Sequence, residues 1–270
     1  MKKISLIFSL SCLISLLFPS FGFAQTPDIT TIDKGYVSYL AAFDSYRVNH
    51  QSYEISKAAY LQYKTPTAQQ DLLEQGKKVI IDRDNVIINY LNYLLLRLVI
   101  SPGVDFTDQT IYQPKIKQEI QFYSIHRDSV NAISNLPDLT EKSKDTEKQF
   151  KQTLAAIDQT LGIILLGKTT LLSTNIDKYN QLLVSRLTLT PADPTNSQNI
   201  NQWLLDAKNR QLLSNNQSTA ALNEFNKLVT YTGNTESTFN AGKSKVLQSF
   251  QYLKESFGFL KQITESISNG

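Results

Sequence analysis

The sequence predicts an all-α fold, an elongated antiparallel helical bundle with coiled-coil-like long helices. Residues that punctuate helices are scarce and gathered in a few places: the 270 residues hold 10 Gly and 8 Pro. Between those places apolar residues recur at steps of three, four and seven, the spacing of one helix face. No stretch alternates apolar and polar residues as a half-buried strand does.

The chain opens on a segment that belongs to no bundle. Lys2 and Lys3 precede an apolar run over residues 4–18, and Pro19 and Gly22 interrupt it. Small residues at Gly22 and Ala24 then stand before Gln25. This is the pattern of a secretory signal peptide over residues 1–24, which directs the chain to the periplasm or the extracellular space. Cys12 lies inside the apolar run with Leu10 one place away from where a lipobox requires it, so a lipid anchor is not expected.

A first helix is expected over residues 31–64. Thr65-Pro66 closes it and opens the second, with Thr65 as N-cap and Pro66 at the first helical position, where a missing N–H costs nothing. The second runs to Ile100 and stops at Ser101-Pro102-Gly103. Its near-equal length makes the first two helices an antiparallel hairpin. A third helix begins near Asp108 or at Gln113-Pro114 and continues to Ser134, and Leu136-Pro137-Asp138 forms the next break. The fourth covers residues 138–188, roughly 75 Å if unbroken. Phe150, Leu154, Ile157, Leu161 and Ile164 alternate by four and three along it, a heptad seam on which Lys168 and Asn175 also fall. Gly162 and Gly167 each weaken local helicity by about 1 kcal/mol relative to Ala.

Pro191-Ala192-Asp193-Pro194 is the clearest linker, since neither proline fits inside a helix. It divides the chain into a helical bundle over residues 25–190 and C-terminal helices over residues 191–270 that pack on the same bundle. Thr195 or Asn196 caps a helix through Leu213, and Ser214-Asn215-Asn216-Gln217 reads as a turn. Helix resumes near Ser218, reaches Tyr231 and continues or restarts at Thr232-Gly233-Asn234, with Phe239, Val246, Phe250, Leu253, Phe257, Leu260 and Ile263 at steps of three, four and seven. No period between 20 and 50 residues repeats, which favours a bundle over a solenoid.

Without residues 1–24 the chain loses its single Cys and single Met. Disulfide scaffolds, thiol nucleophiles and Cys-based metal sites are then excluded. The 27 basic residues fall to 25 against 24 acidic ones, which leaves no basic footprint for nucleic acid. No later run of about 20 residues is free of charge, so no simple membrane span is expected after the signal.

Tyr39, Tyr46, Tyr53 and Tyr60 stand seven residues apart on the first helix, with Tyr36 and Phe43 close by. Four phenol rings along one edge offer flat apolar faces and hydroxyls to a ligand or a partner protein, or pack as a half-buried seam against the second helix. Val48 and Ile55 lie on a different face, and a helix with two apolar faces is expected at the centre of a bundle. The second helix carries Val79-Ile80-Ile81 and Val86-Ile87-Ile88 and leaves only Asp82, Asn85, Asn89 and Asn92 as a polar strip, again a central pattern. The uncharged residues 161–167 raise the alternative of a helix that rearranges into a membrane.

Chemistry finds little support. His50 and His126 lack a His or Glu at helical ligand spacing, so no metal or other cofactor is expected. There is no Gly-x-Ser-x-Gly elbow, and Gly167-Lys168-Thr169 lacks the upstream glycine of a phosphate loop. Asp82/Asp84 and Glu141/Asp145 are expected to be solvated carboxylates. The sequence therefore reads as an exported, non-enzymatic protein that binds or scaffolds a protein or cell-envelope component. A pore-forming or membrane-active protein and a ligand-sensing bundle are the alternatives.

Overall fold

The computed structural model describes residues 29–189, 194–228 and 233–269; the expected signal peptide lies outside them. The fold is all-α, six long helices packed antiparallel: α1 (Ile29–Tyr63), α2 (Pro66–Ile100), α3 (Phe106–Val130), α4 (Leu136–Leu189), α5 (Pro194–Asn226) and α6 (Thr235–Asn269). No strand occurs among the described residues.

Local chemistry sets the helix starts. Thr65 is extended at φ −82° and its hydroxyl accepts from the Ala68 amide at 3.2 Å, with Pro66 opening α2. Lys64 takes φ +50° to turn the chain between α1 and α2. Asp105 accepts from the Asp108 amide at 2.7 Å, so α3 starts at Phe106, before either expected position. Pro114 lies inside α3, where it leaves the Thr110 carbonyl without its usual donor. Asn135 accepts from the Asp138 amide at 2.9 Å and starts α4.

α4 is the spine. Its 54 residues extend about 81 Å. The α1–α2 hairpin and α3 pack toward its first half, and α5 and α6 pair with each other along the remainder. One core runs through α2, α3 and α4 around Leu91, Leu98, Ile116, Tyr123 and Ile163. A second joins Ile176 and Leu183 of α4 to Ile200, Leu253 and Leu260. Where the two meet, the backbones come close. Gly103 (φ +85°) sits against the carbonyl of Gly167, and a side chain at either would collide. Beside this contact the fully buried Phe225 ring is held between Gly162 and Gly242. Those glycines cost helicity and make room for the crossing.

Several expectations are corrected. α1 is peripheral: it packs on α2 alone, and Val48 and Ile55 stay 64% and 65% exposed. α5 runs unbroken through the expected turn at Ser214-Asn215-Asn216-Gln217. The reason is that Ser214 faces inward, its hydroxyl 2.8 Å from that of Ser249 on α6. α5 ends at Asn226, short of the expected Tyr231, which falls among residues outside the description. Lys168 is exposed, off the buried seam of α4, and Phe150 is 39% exposed.

Candidate functional site

α1 and α4 both lie along α2, yet their backbones do not meet. The gap between them is a groove with α2 as its floor. Its first section, about 440 Å³, has Tyr39, Phe43 and Tyr46 on the α1 side. Val86, Ile87 and Tyr90 form the floor, and Thr146, Glu147, Phe150, Leu154 and Ile157 the α4 side. A second section of about 330 Å³ continues past Tyr46 and Arg83, between His50 and Tyr53 on one side and Leu136, Leu139 and Ser143 on the other. Tyr46 and Arg83 belong to both sections.

The heptad spacing on α1 builds the aromatic side. Tyr39 packs its ring 5.4 Å from that of Tyr90, with Tyr36 and Phe43 at 6.2 and 6.4 Å. Tyr46 and Tyr53 flank the His50 ring at 5.6 and 6.3 Å, and the Lys57 ammonium lies 5.8 Å from the centre of the Tyr53 ring. All four heptad tyrosines are half-buried. Three line the groove; Tyr60, one turn before the end of α1, lines neither section. Burial raises the Tyr90 phenol above its ordinary range, with Tyr39, Asp158 and Tyr93 adding to the effect, so its hydroxyl stays protonated and able to donate.

Arg83 is the cation of the groove. Its guanidinium donates to the Ser143 hydroxyl at 3.2 Å and to the Ser143 carbonyl at 3.5 Å, while its Nε is buried with no partner. On the next residue a separate polar network begins. Asp84 is fully buried, which corrects its reading as a solvated carboxylate, and its Oδ2 lies 2.6 Å from Nδ1 of His126. Nε2 of His126 faces the Lys142 carbonyl at 2.9 Å, and the Thr146 hydroxyl lies 3.1 Å from Nε2 and 3.4 Å from Nδ1.

An aspartate, an imidazole and a hydroxyl in contact resemble a nucleophilic triad, but the geometry differs from one. A carbonyl oxygen only accepts, so Nε2 carries a hydrogen and donates it to Lys142. Thr146 stands beside the ring at nearly equal distances from both nitrogens, on the lone-pair axis of neither. A general base needs a free lone pair aimed at the hydroxyl, and this imidazole has none. The network ties α2, α3 and α4 together.

Sequence reasoning missed Asp84, and a signal for it existed. Ile80, Asp84, Ile87, Leu91 and Leu94 keep steps of four, three, four and three, so Asp84 occupies a core position. On α3, Tyr123, His126 and Val130 keep the same register. A charged residue in core register next to a histidine in core register marks a buried pair.

Among the described residues no group of three or more His, Asp or Glu side chains is placed to hold a metal. α4 is the one described helix long and apolar enough to cross a membrane by length and composition, and 56% of its most apolar window is buried within the fold. Compared with protein-family models, curated proteins and solved structures, the chain matches none.

Proposed function

We propose that this chain is an exported, non-enzymatic binding protein whose groove between α1 and α4 holds an elongated, largely apolar ligand. The observation that carries the reading is the groove itself. α1 and α4 leave an open groove over α2; the side chains facing its first section are mostly aromatic and aliphatic, and the second section adds the polar His50, Thr140 and Ser143. Its first section has the volume of small-molecule sites. Tyrosine rings on a rigid helix supply broad contact at a low cost in side-chain freedom. The hydrogen bonding of His126 and Thr146 supports binding over catalysis. The pattern of residues 1–24 supports action outside the cytoplasm, with Gln25 as the first residue of the recovered protein.

Titration of the purified protein with N-phenyl-naphthylamine, an uncharged dye that brightens in apolar surroundings, tests the reading. Saturable binding at one site is expected. Phe150→Glu, which puts a charge in the apolar wall, weakens it by about tenfold or more. Val48→Glu, on the outward face of α1, leaves it unchanged. Absence of saturable binding, or equal effects of the two substitutions, overturns the proposal.

A further inference from the structure

We infer, building on the reading of the groove as a ligand site, that its ligand is an amphipathic organic acid whose anionic group is bound by Arg83. The side chain stands at the junction of the two sections, with apolar walls on both sides of it. Phe43, Phe150 and Leu154 lie on one side, and Leu72, Val79 and Leu139, interspersed with the polar His50, Thr140 and Ser143, on the other.

The charge of Arg83 is left without a countercharge. Its hydrogen-bond partners, the hydroxyl and carbonyl of Ser143, are neutral. Among the described residues it takes part in no ion pair. The carboxylates adjacent in sequence are directed elsewhere: Asp82 accepts from Ser45 and Asn49 of α1, and Asp84 meets His126 through Oδ2, while its Oδ1 has no hydrogen-bond partner and forms none with Arg83. Glu147 lines the first section but forms no ion pair with the guanidinium. Arg83 carries five N–H donors in a planar fork, and the buried Nε–H has no acceptor. A neutral apolar ligand would strip water from this cation and return nothing. A carboxylate or sulfonate meets the fork with charge-assisted hydrogen bonds while its hydrocarbon covers the walls on either side.

Two dyes with one aromatic frame separate the inference from the reading beneath it: N-phenyl-naphthylamine and its sulfonate, anilinonaphthalene sulfonate. The sulfonate is expected to bind the wild-type protein about tenfold or more tightly than the neutral dye at low salt. Added salt should reduce that preference without weakening the neutral dye. Arg83→Gln abolishes the preference, with the sulfonate losing affinity and the neutral dye not weakened, and Arg83→Lys keeps part of it. Both variants are checked for unchanged helicity and melting temperature, and Ser143→Ala, which removes a neutral partner only, retains the preference. Equal affinity for the two dyes in the wild type, or a preference that survives Arg83→Gln, overturns the assignment of the anion to Arg83 while the groove remains a binding site. Failure of both dyes to bind removes the groove reading as well.

Discussion

Asp158 follows Ile157 on α4, half-buried and electrostatically coupled to Glu236 in the first turn of α6. Burial first, and Glu236 second, push its carboxyl up to about 6. The folded protein therefore holds this proton more tightly than the unfolded chain, whose aspartates titrate near ~4. The stability gained is fully present below the unfolded value and is lost as pH rises through about 6. A thermal melt followed across that window should show the melting temperature falling for the wild-type chain. Asp158→Asn, which cannot ionise, raises the melting temperature above about pH 7 and flattens the fall. Parallel profiles for the two proteins would show that Asp158 is already ionised without penalty. The buried carboxylate about five turns into α2 behaves differently. Asp84 has a partner in His126, 2.6 Å from its Oδ2, although its Oδ1 is buried without a hydrogen-bond partner, whereas Asp158 faces a like charge.

The pairing of α5 with α6 rests on small residues placed every seven. Ala207, Ser214 and Ala221 on α5, and Gly242, Ser249 and Ser256 on α6, are all buried. The hydroxyls of Ser214 and Ser218 both lie 2.8 Å from that of Ser249, and Ser256 donates to the Ala207 carbonyl at 2.9 Å. This stripe was present in the sequence but hidden by composition: Ser-Asn-Asn-Gln has the residue types of a turn, and only the seven-residue step distinguishes Ser214 as an interface residue. Glycines in α6 then diverge in a predictable way. At Gly242 an added methyl meets the Phe225 ring, whereas at Gly258 it meets nothing within 4 Å. Gly258→Ala should stabilise the protein by about 0.5–1 kcal/mol through helix propensity. Gly242→Ala should destabilise it by about 1–3 kcal/mol through overpacking. Urea titrations of the two variants give the signs; a stabilising Gly242→Ala would mean that Phe225 can shift and the crossing is loose.

At the scale of the whole molecule, helix positions were legible because their signals are local: Thr65-Pro66, Pro137 and the scarcity of Gly between them. The tyrosine side of the groove was legible for the same reason, as four residues seven apart. Its opposite side was not, because Phe150 and Leu154 read as ordinary seam positions until α1 and α4 are seen to share α2 without touching. The peripheral place of α1 was hidden too, since Val48 and Ile55 give it a second apolar face that no described helix covers. α4 gives this arrangement its mechanical unity. The contacts of α1, α2 and α3 reach α5 and α6 chiefly through it, at the crossing where Gly103 meets Gly167 and Phe225 fills the space by Gly162. The chain holds one Trp, Trp203, on α5 beside the second core, so its fluorescence reports the C-terminal half alone. Far-UV circular dichroism reports every helix. If the crossing couples the halves, both signals lose structure at one denaturant midpoint. Gly167→Val, which drives a side chain into Val104 and the Gly103 backbone, should weaken that coupling and separate the midpoints, with the Trp203 transition the less affected. Separate midpoints in the wild-type protein would instead show two independent bundles that share a helix without sharing stability.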